Sequence, residues 1–157
     1  MGLDMYLFAK KYITGITEWD DEARKFKTNP LADSVKELVN IKDACESADC
    51  GLTIQFPVAY WRKANHIHGW FVDNVQAGED NCEEYYVSRR GLTDLRDACQ
   101  QAINTQDPDI LPRVAGFFFG SNEIDEYYWD QLKDTIKQIN KVLSLPDDIS
   151  LYYQSSW

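Results

Sequence analysis

Basic residues are in short supply in this 157-residue chain: 16 Lys and Arg stand against 26 Asp and Glu, a formal net charge of −10. A pI near 4.6 argues against a surface that tracks phosphates, because nucleic-acid binders carry a basic stripe. Direct nucleic-acid binding is therefore not expected. No apolar run approaches the roughly 18–20 residues of a membrane span, and the opening residues lack the basic start and apolar centre of an export signal. Cysteine is sparse. Cys45, Cys50, Cys82 and Cys99 form no CxxC pair; their even number leaves disulfides formally open. A chain that is 44% hydrophobic and 13% aromatic has core enough to do without such staples. Free thiols and a cytoplasmic location are expected.

The common chemical signatures are missing as well. The sequence contains no GxxxxGK[ST], no GxGxxG after a strand, no HExxH, no GxSxG and no DxDxDG calcium loop, so no cofactor or metal is implied. A myristoyl site is unsupported because Tyr6 stands where Ser or Thr is needed. The charge that is present is uneven. Residues 1–78 hold 11 acids and 9 bases, whereas residues 79–157 hold 15 acids and 7 bases, so the negative field belongs mostly to the second half.

Periodicity predicts alternating strands and helices. Leu3, Met5 and Leu7 alternate with Asp4, Tyr6 and Phe8 up to Ile13; apolar weight on both faces predicts a central strand. Glu18 to Pro30 reads as a polar connection with room for one short helix. A helix is predicted from Leu31 to about Glu46 on the spacing of Leu31, Val35, Leu38, Val39 and Ala44. Leu52 to Phe56 reads as a strand that Pro57 pushes to an edge or ends. Trp61 to Gln76 is predicted helical, with Ala64, Ile67, His68, Phe71, Val72 and Val75 as its stripe and Arg62, Lys63, His66 and Asp73 off it. Gly78 to Cys82 is a turn and Glu83 to Val87 a short strand. Ser88 then caps a helix to about Ile103 that buries Leu92, Leu95, Ala98, Cys99 and Ala102. Gly116 to Gly120 reads as a buried strand, Ser121 or Asn122 as the cap of a helix to about Leu143, and Ile149 to Tyr153 as a last strand. The expected fold is α+β or α/β: a single sheet of about four to five strands with three to four helices packed on it, in one domain over residues 1–157.

Most candidate site residues also have a structural use. His66 and His68 would share a face on a strand, but on a helix they point about 200° apart and cannot grip one ion. Zinc on Cys45, Cys50, His66 and His68 fails on that geometry. His68 belongs to the apolar stripe and is read as a buried or cleft-edge histidine; His66, beside Arg62 and Lys63, as a surface residue. The acid pairs Glu83–Glu84 and Asp125–Glu126 suit a solvated face or a helix's first turn. Arg89 and Arg90 oppose the dipole at a helix start, which calls for pairing with Glu83, Glu84 or Asp94, or for an anion to grip.

Aromatics carry the strongest signal. Tyr60–Trp61, Trp70–Phe71, Tyr85–Tyr86, Phe117–Phe119, Tyr127–Trp129 and Tyr152–Tyr153 come as neighbours. Adjacent side chains on one strand or helix cannot all face one core, so some of these rings belong to a surface, cleft or subunit contact. Tyr127 and Trp129, with Asp125 and Glu126, form the candidate interaction surface. His68, Tyr85, Tyr86, Arg89 and Arg90, with Tyr60 and Trp61, form the candidate ligand cleft.

The opening Met-Gly-Leu-Asp-Met-Tyr-Leu7 resembles a group of small uncharacterised phage and bacterial proteins. Tyr60 to Asn65, Trp70 to Gln76, Tyr85 to Ser88 and Gly116 to Gly120 look like that group's later blocks. The resemblance implies an intracellular setting and a phage accessory role, and transfers no catalytic residue. The leading expectation is a non-enzymatic module binding a protein partner or a second copy through an acidic, aromatic surface, a host factor or defence system being one such target. A narrower form imitates nucleic acid with its acidic half. The alternative is a small enzyme or ligand binder built on the His68 cleft.

Overall fold

The computed structural model describes residues 2–41, 50–116 and 119–157. Its strands are β1 (Asp4–Ile13), β2 (Ile16–Asp20), β3 (Lys25–Thr28), β4 (Leu52–Arg62), β5 (Tyr85–Val87) and β6 (Ser150–Ser156). The helices among the described residues are α1 (Pro30–Leu38), α2 (Asn65–Asn74), α3 (Arg89–Thr105) and α4 (Glu126–Leu143), with one 3₁₀ turn at Pro108–Ile110. A four-stranded antiparallel sheet runs in the order β4-β1-β6-β5, and β2 pairs with β3 as a two-stranded sheet. The fold is α+β.

The backbone forms two compact units, one of the first nine residues with Phe56–Trp157, the other of Lys10–Gln55. The core of the first unit follows from strand alternation. Met5, Leu7 and Ala9 of β1, Ala59 and Trp61 of β4, and Leu151 and Tyr153 of β6 are buried, while their neighbours are not. Phe71 of α2 stacks on Tyr153 with centroids 3.9 Å apart, and the Trp61 indole N–H donates to Thr135 of α4 at 2.9 Å. These contacts fix two helices to one face of the sheet. α3 buries Leu92, Leu95, Cys99 and Ala102 and packs along α4. Ser88 caps α3 by accepting from the Gly91 N–H at 3.0 Å; β1 is central and β4, the strand holding Pro57, lies at an edge.

Several expectations need correction. The segment read as a polar connection is a hairpin in which Ile16 pairs with Thr28 and Trp19 with Phe26. Glu18, Asp20, Lys25 and Lys27 share one face and Trp19 and Phe26 the other, but strands of five and four residues are too short for that alternation to stand out. α1 is capped by Asn29 and buries Ala32 and the Lys36 stem, not the anticipated stripe; Leu38 is 84% exposed. The rest of that predicted helix, from residue 42, lies outside the described residues, as do Cys45, Phe117 and Phe118. β4 continues through Pro57 to Arg62, so Trp61 belongs to a strand and α2 begins only at Asn65. Lys63, at φ 54°, turns the chain between them. No strand is formed by the described residues of 116–120, although Phe119 is buried. Asp125, not Ser121 or Asn122, caps α4, accepting from the Tyr128 N–H at 3.0 Å. His66 is no surface residue: it is 1% exposed.

Candidate functional site

His68 is placed by α2 against β6 and holds a linear chain of polar groups. Its Nε2 lies 3.0 Å from Asp80 Oδ1 and its Nδ1 2.7 Å from the Tyr153 hydroxyl. A carboxylate only accepts, so Nε2 carries the proton and donates to Asp80, and the Tyr153 hydroxyl donates to Nδ1. Burial lowers the His68 pKa against the opposing pull of Asp80, and burial raises that of Tyr153 well above its ordinary value. The Trp157 indole N–H also donates to Asp80, at 3.2 Å. This Asp–His–Tyr order has the form of a proton relay, but His68 and Tyr153 are both fully buried and only Asp80 reaches solvent. The chain clamps α2, β6 and the turn after α2 to one another.

The other members of the predicted cleft go elsewhere. Tyr85 accepts from the Asn81 amide at 2.8 Å. Tyr86 lies on the opposite sheet face, edge-on to Tyr152 at 5.8 Å. Arg89 donates to the Leu143 and Pro146 carbonyls and stands 3.7 Å from Asp147. It secures the C-terminal end of α4. Arg90 is exposed. Among the described residues no hydrogen bond joins His68 to Tyr85, Tyr86, Arg89 or Arg90.

What the sheet presents instead is an aromatic outer face. With Met5, Leu7, Ala59, Leu151 and Tyr153 on the face that α2 and α4 cover, alternation sends Tyr6 and Phe8 of β1, Tyr60 of β4, Tyr152 of β6 and Tyr86 of β5 the other way. Tyr6 and Phe8 stack at 5.7 Å, Tyr6 and Tyr60 meet at 5.2 Å, and Tyr86 abuts Tyr152. The rings therefore span all four strands. Asp4 lies at the same side, hydrogen-bonded by the Tyr60 hydroxyl and 3.9 Å from Arg62; that bond raises the Tyr60 pKa.

At the β4 edge the face turns into a groove of about 260 Å³ lined by Tyr60, Arg62, Tyr127, Asp130, Gln131 and Asp134. Its floor is made by α4 lying along the strand. The Gln138 amide accepts from the Tyr60 N–H at 2.8 Å and donates to the Tyr60 carbonyl at 3.0 Å, while Gln131 donates to the Arg62 carbonyl at 3.2 Å. Glutamine side chains here take the place of a neighbouring strand. Of the predicted interaction surface, Tyr127 is 56% exposed and lines this groove. Trp129 lies half-buried, edge-on to Tyr128. Asp125 is occupied in capping, and Glu126 is exposed in the first turn. Tyr6 and Phe8 stand outside the expected cleft and surface; their alternation with Met5 and Leu7 is the one sequence signal that marks them.

Among the described residues no group of three or more His, Cys, Asp or Glu is arranged to hold a metal ion. No helix among them is long and apolar enough to cross a membrane. Cys99 is a buried thiol whose pKa burial pushes up to about 12, which leaves it unreactive. The fold and face define an α+β protein with an aromatic-covered sheet. No family model, curated protein or solved structure matches the chain.

Proposed function

We propose that this protein is a non-enzymatic binding module whose outer sheet face and adjoining groove receive a basic segment of a partner protein. The observation that supports it most is the stacked Tyr6, Phe8 and Tyr60 row on the sheet face turned away from α2 and α4. Tyr60 is 43% exposed, with Tyr6 and Phe8 half-buried beside it; tyrosines are rigid, amphipathic contact groups, and partly open aromatic rows suit recognition surfaces. Asp4, Asp130 and Asp134 border the Tyr60 end, and a chain at −10 draws cationic partners and repels phosphate backbones. Lys and Arg side chains gain twice on such a surface, by carboxylate pairing and by lying over tyrosine rings. The phage and bacterial likeness of the opening residues makes a host protein the natural setting.

Fluorescence anisotropy with 12-residue peptides of graded Lys and Arg content tests this. Affinity is expected to climb with cationic content and to fall at least tenfold in a Tyr6→Ser/Tyr60→Ser variant whose circular dichroism is unchanged. Peptide binding indifferent to charge, or a variant that binds as the parent does, would refute the assignment.

A further inference from the structure

We propose that the cavity between α2 and residues 110–114 is a binding site for a small organic amine that carries a hydroxyl at its far end. The cavity has a volume of about 150 Å³ and is lined by His66, Gly69, Trp70, Asp73 and Asn74 of α2, facing Ile110, Leu111, Pro112 and Val114. It is a built feature. Gly69 lets the facing segment come close, since a Cβ there would collide with the Val114 side chain. A cavity of this size takes about one benzene-sized ring, and Trp70, Leu111 and Val114 supply apolar walls for it.

Polar groups stand at both ends. His66, almost wholly enclosed, has no hydrogen-bond partner at either ring nitrogen among the described residues. Burial, reinforced by Arg113, pulls its pKa down to about 3. It is therefore neutral, offering one lone pair and one N–H, the complement of a hydroxyl. Leaving both buried nitrogens unmatched is unfavourable, because buried polar groups are normally hydrogen-bonded. Seven residues on, two turns and about 10 Å along the same helix, stands the exposed carboxylate of Asp73. Asn74 beside it donates one amide N–H to the Trp70 carbonyl at 2.8 Å, and its carbonyl oxygen is a further acceptor at that end. The outer end thus holds acceptors and one negative charge, next to an indole, which fits an ammonium.

The charges around the site set the ligand's direction. Arg113 lies over the Tyr128 ring at 5.2 Å, the same ring His66 meets at 4.5 Å, with Asp125 3.8 Å away. A cation at the inner end would face that guanidinium. The ammonium therefore belongs at Asp73 and the uncharged hydroxyl at His66. Tyramine has this form, with a span comparable to two helical turns. This site is separate from the sheet face, and neither reading depends on the other.

Titration of ¹⁵N-labelled protein with tyramine, phenethylamine and 4-hydroxyphenylacetate, followed by amide chemical shifts, tests the site. Tyramine is expected to give saturable shifts in α2 and residues 110–114. Affinity should fall at least tenfold in Asp73→Asn, and severalfold in His66→Phe or with phenethylamine. The carboxylate should not bind. Asp73 is exposed and the spectra themselves report whether each variant is folded. Absence of saturable tyramine shifts, equal affinity in either variant, or equal binding of 4-hydroxyphenylacetate would overturn the proposal.

Discussion

Two histidines two residues apart in the chain have opposite standings in the same interior. His68 has a partner at each nitrogen, Asp80 and Tyr153, and His66 has none among the described residues. Replacing one member of a satisfied buried network leaves its partners stranded, whereas replacing an unsatisfied polar group by an apolar one of similar shape removes a cost. His68→Phe is accordingly expected to lose about 1–3 kcal/mol of unfolding free energy by urea titration. His66→Phe, beside the Tyr128 ring, should hold or gain up to about 1 kcal/mol. Acid separates them further. Burial lowers both pKa values from 6.5, that of His66 to about 3. Above pH 6.5 neither folded nor unfolded chain binds the proton. Below it the unfolded chain takes up protons that the folded chain refuses, so stability drops with a slope of up to about 1.4 kcal/mol per pH unit for each histidine. For His66 this continues towards pH 3. Urea unfolding between pH 7 and 4 should show a shallower fall in His66→Phe than in the parent; parallel curves would mean that His66 is not held neutral. The sequence placed His68 correctly on a buried stripe. It misplaced His66 because helical spacing reports one apolar face, while residues 64–69 are enclosed from all sides by neighbours distant in the chain.

At the level of elements, what could be read was local. β1, the Ser88 cap and α3 with its buried Leu92, Leu95 and Cys99 follow from alternation, a short side chain before a helix, and 3.6-residue spacing. β2 and β3 escaped because strands of five and four residues give an alternation too brief to stand out. The cover over the β4 edge escaped for a different reason: Gln138 and Tyr60 are 78 residues apart, and nothing in either neighbourhood announces the pairing. That cover has a measurable consequence. Gln138→Ala exposes the Tyr60 N–H and carbonyl together, at a loss of about 0.5–1.5 kcal/mol for each hydrogen bond given up. The bared edge is a template for another strand. The variant is expected to self-associate with rising concentration in sedimentation velocity runs under conditions where the parent shows a smaller change. Indistinguishable sedimentation would show that the two glutamine bonds do not guard the edge.

For the molecule as a whole, charge must act on folding and on binding with opposite signs if the sheet face does what is proposed. The second half holds 15 acids and 7 bases, and many of the observed ion pairs, such as Lys133–Asp130 and Arg96–Asp97, are exposed. Exposed pairs contribute little, with a median of about 0–1 kcal/mol, whereas an excess of one sign repels itself across the surface. Raising NaCl from 0.1 to 1 M shortens the screening length from about 10 to about 3 Å. It should therefore leave the unfolding free energy unchanged or raise it. A cationic peptide held by Asp4, Asp130 and Asp134 loses attraction over the same range, and its affinity should drop at least tenfold. Aromatic stacking is insensitive to screening, so a residue of binding from Tyr6, Phe8 and Tyr60 should survive at 1 M and vanish in the Tyr6→Ser/Tyr60→Ser variant. Salt that weakened folding and peptide binding in step would show that ion pairs hold the chain together, and that loss of binding is only loss of structure.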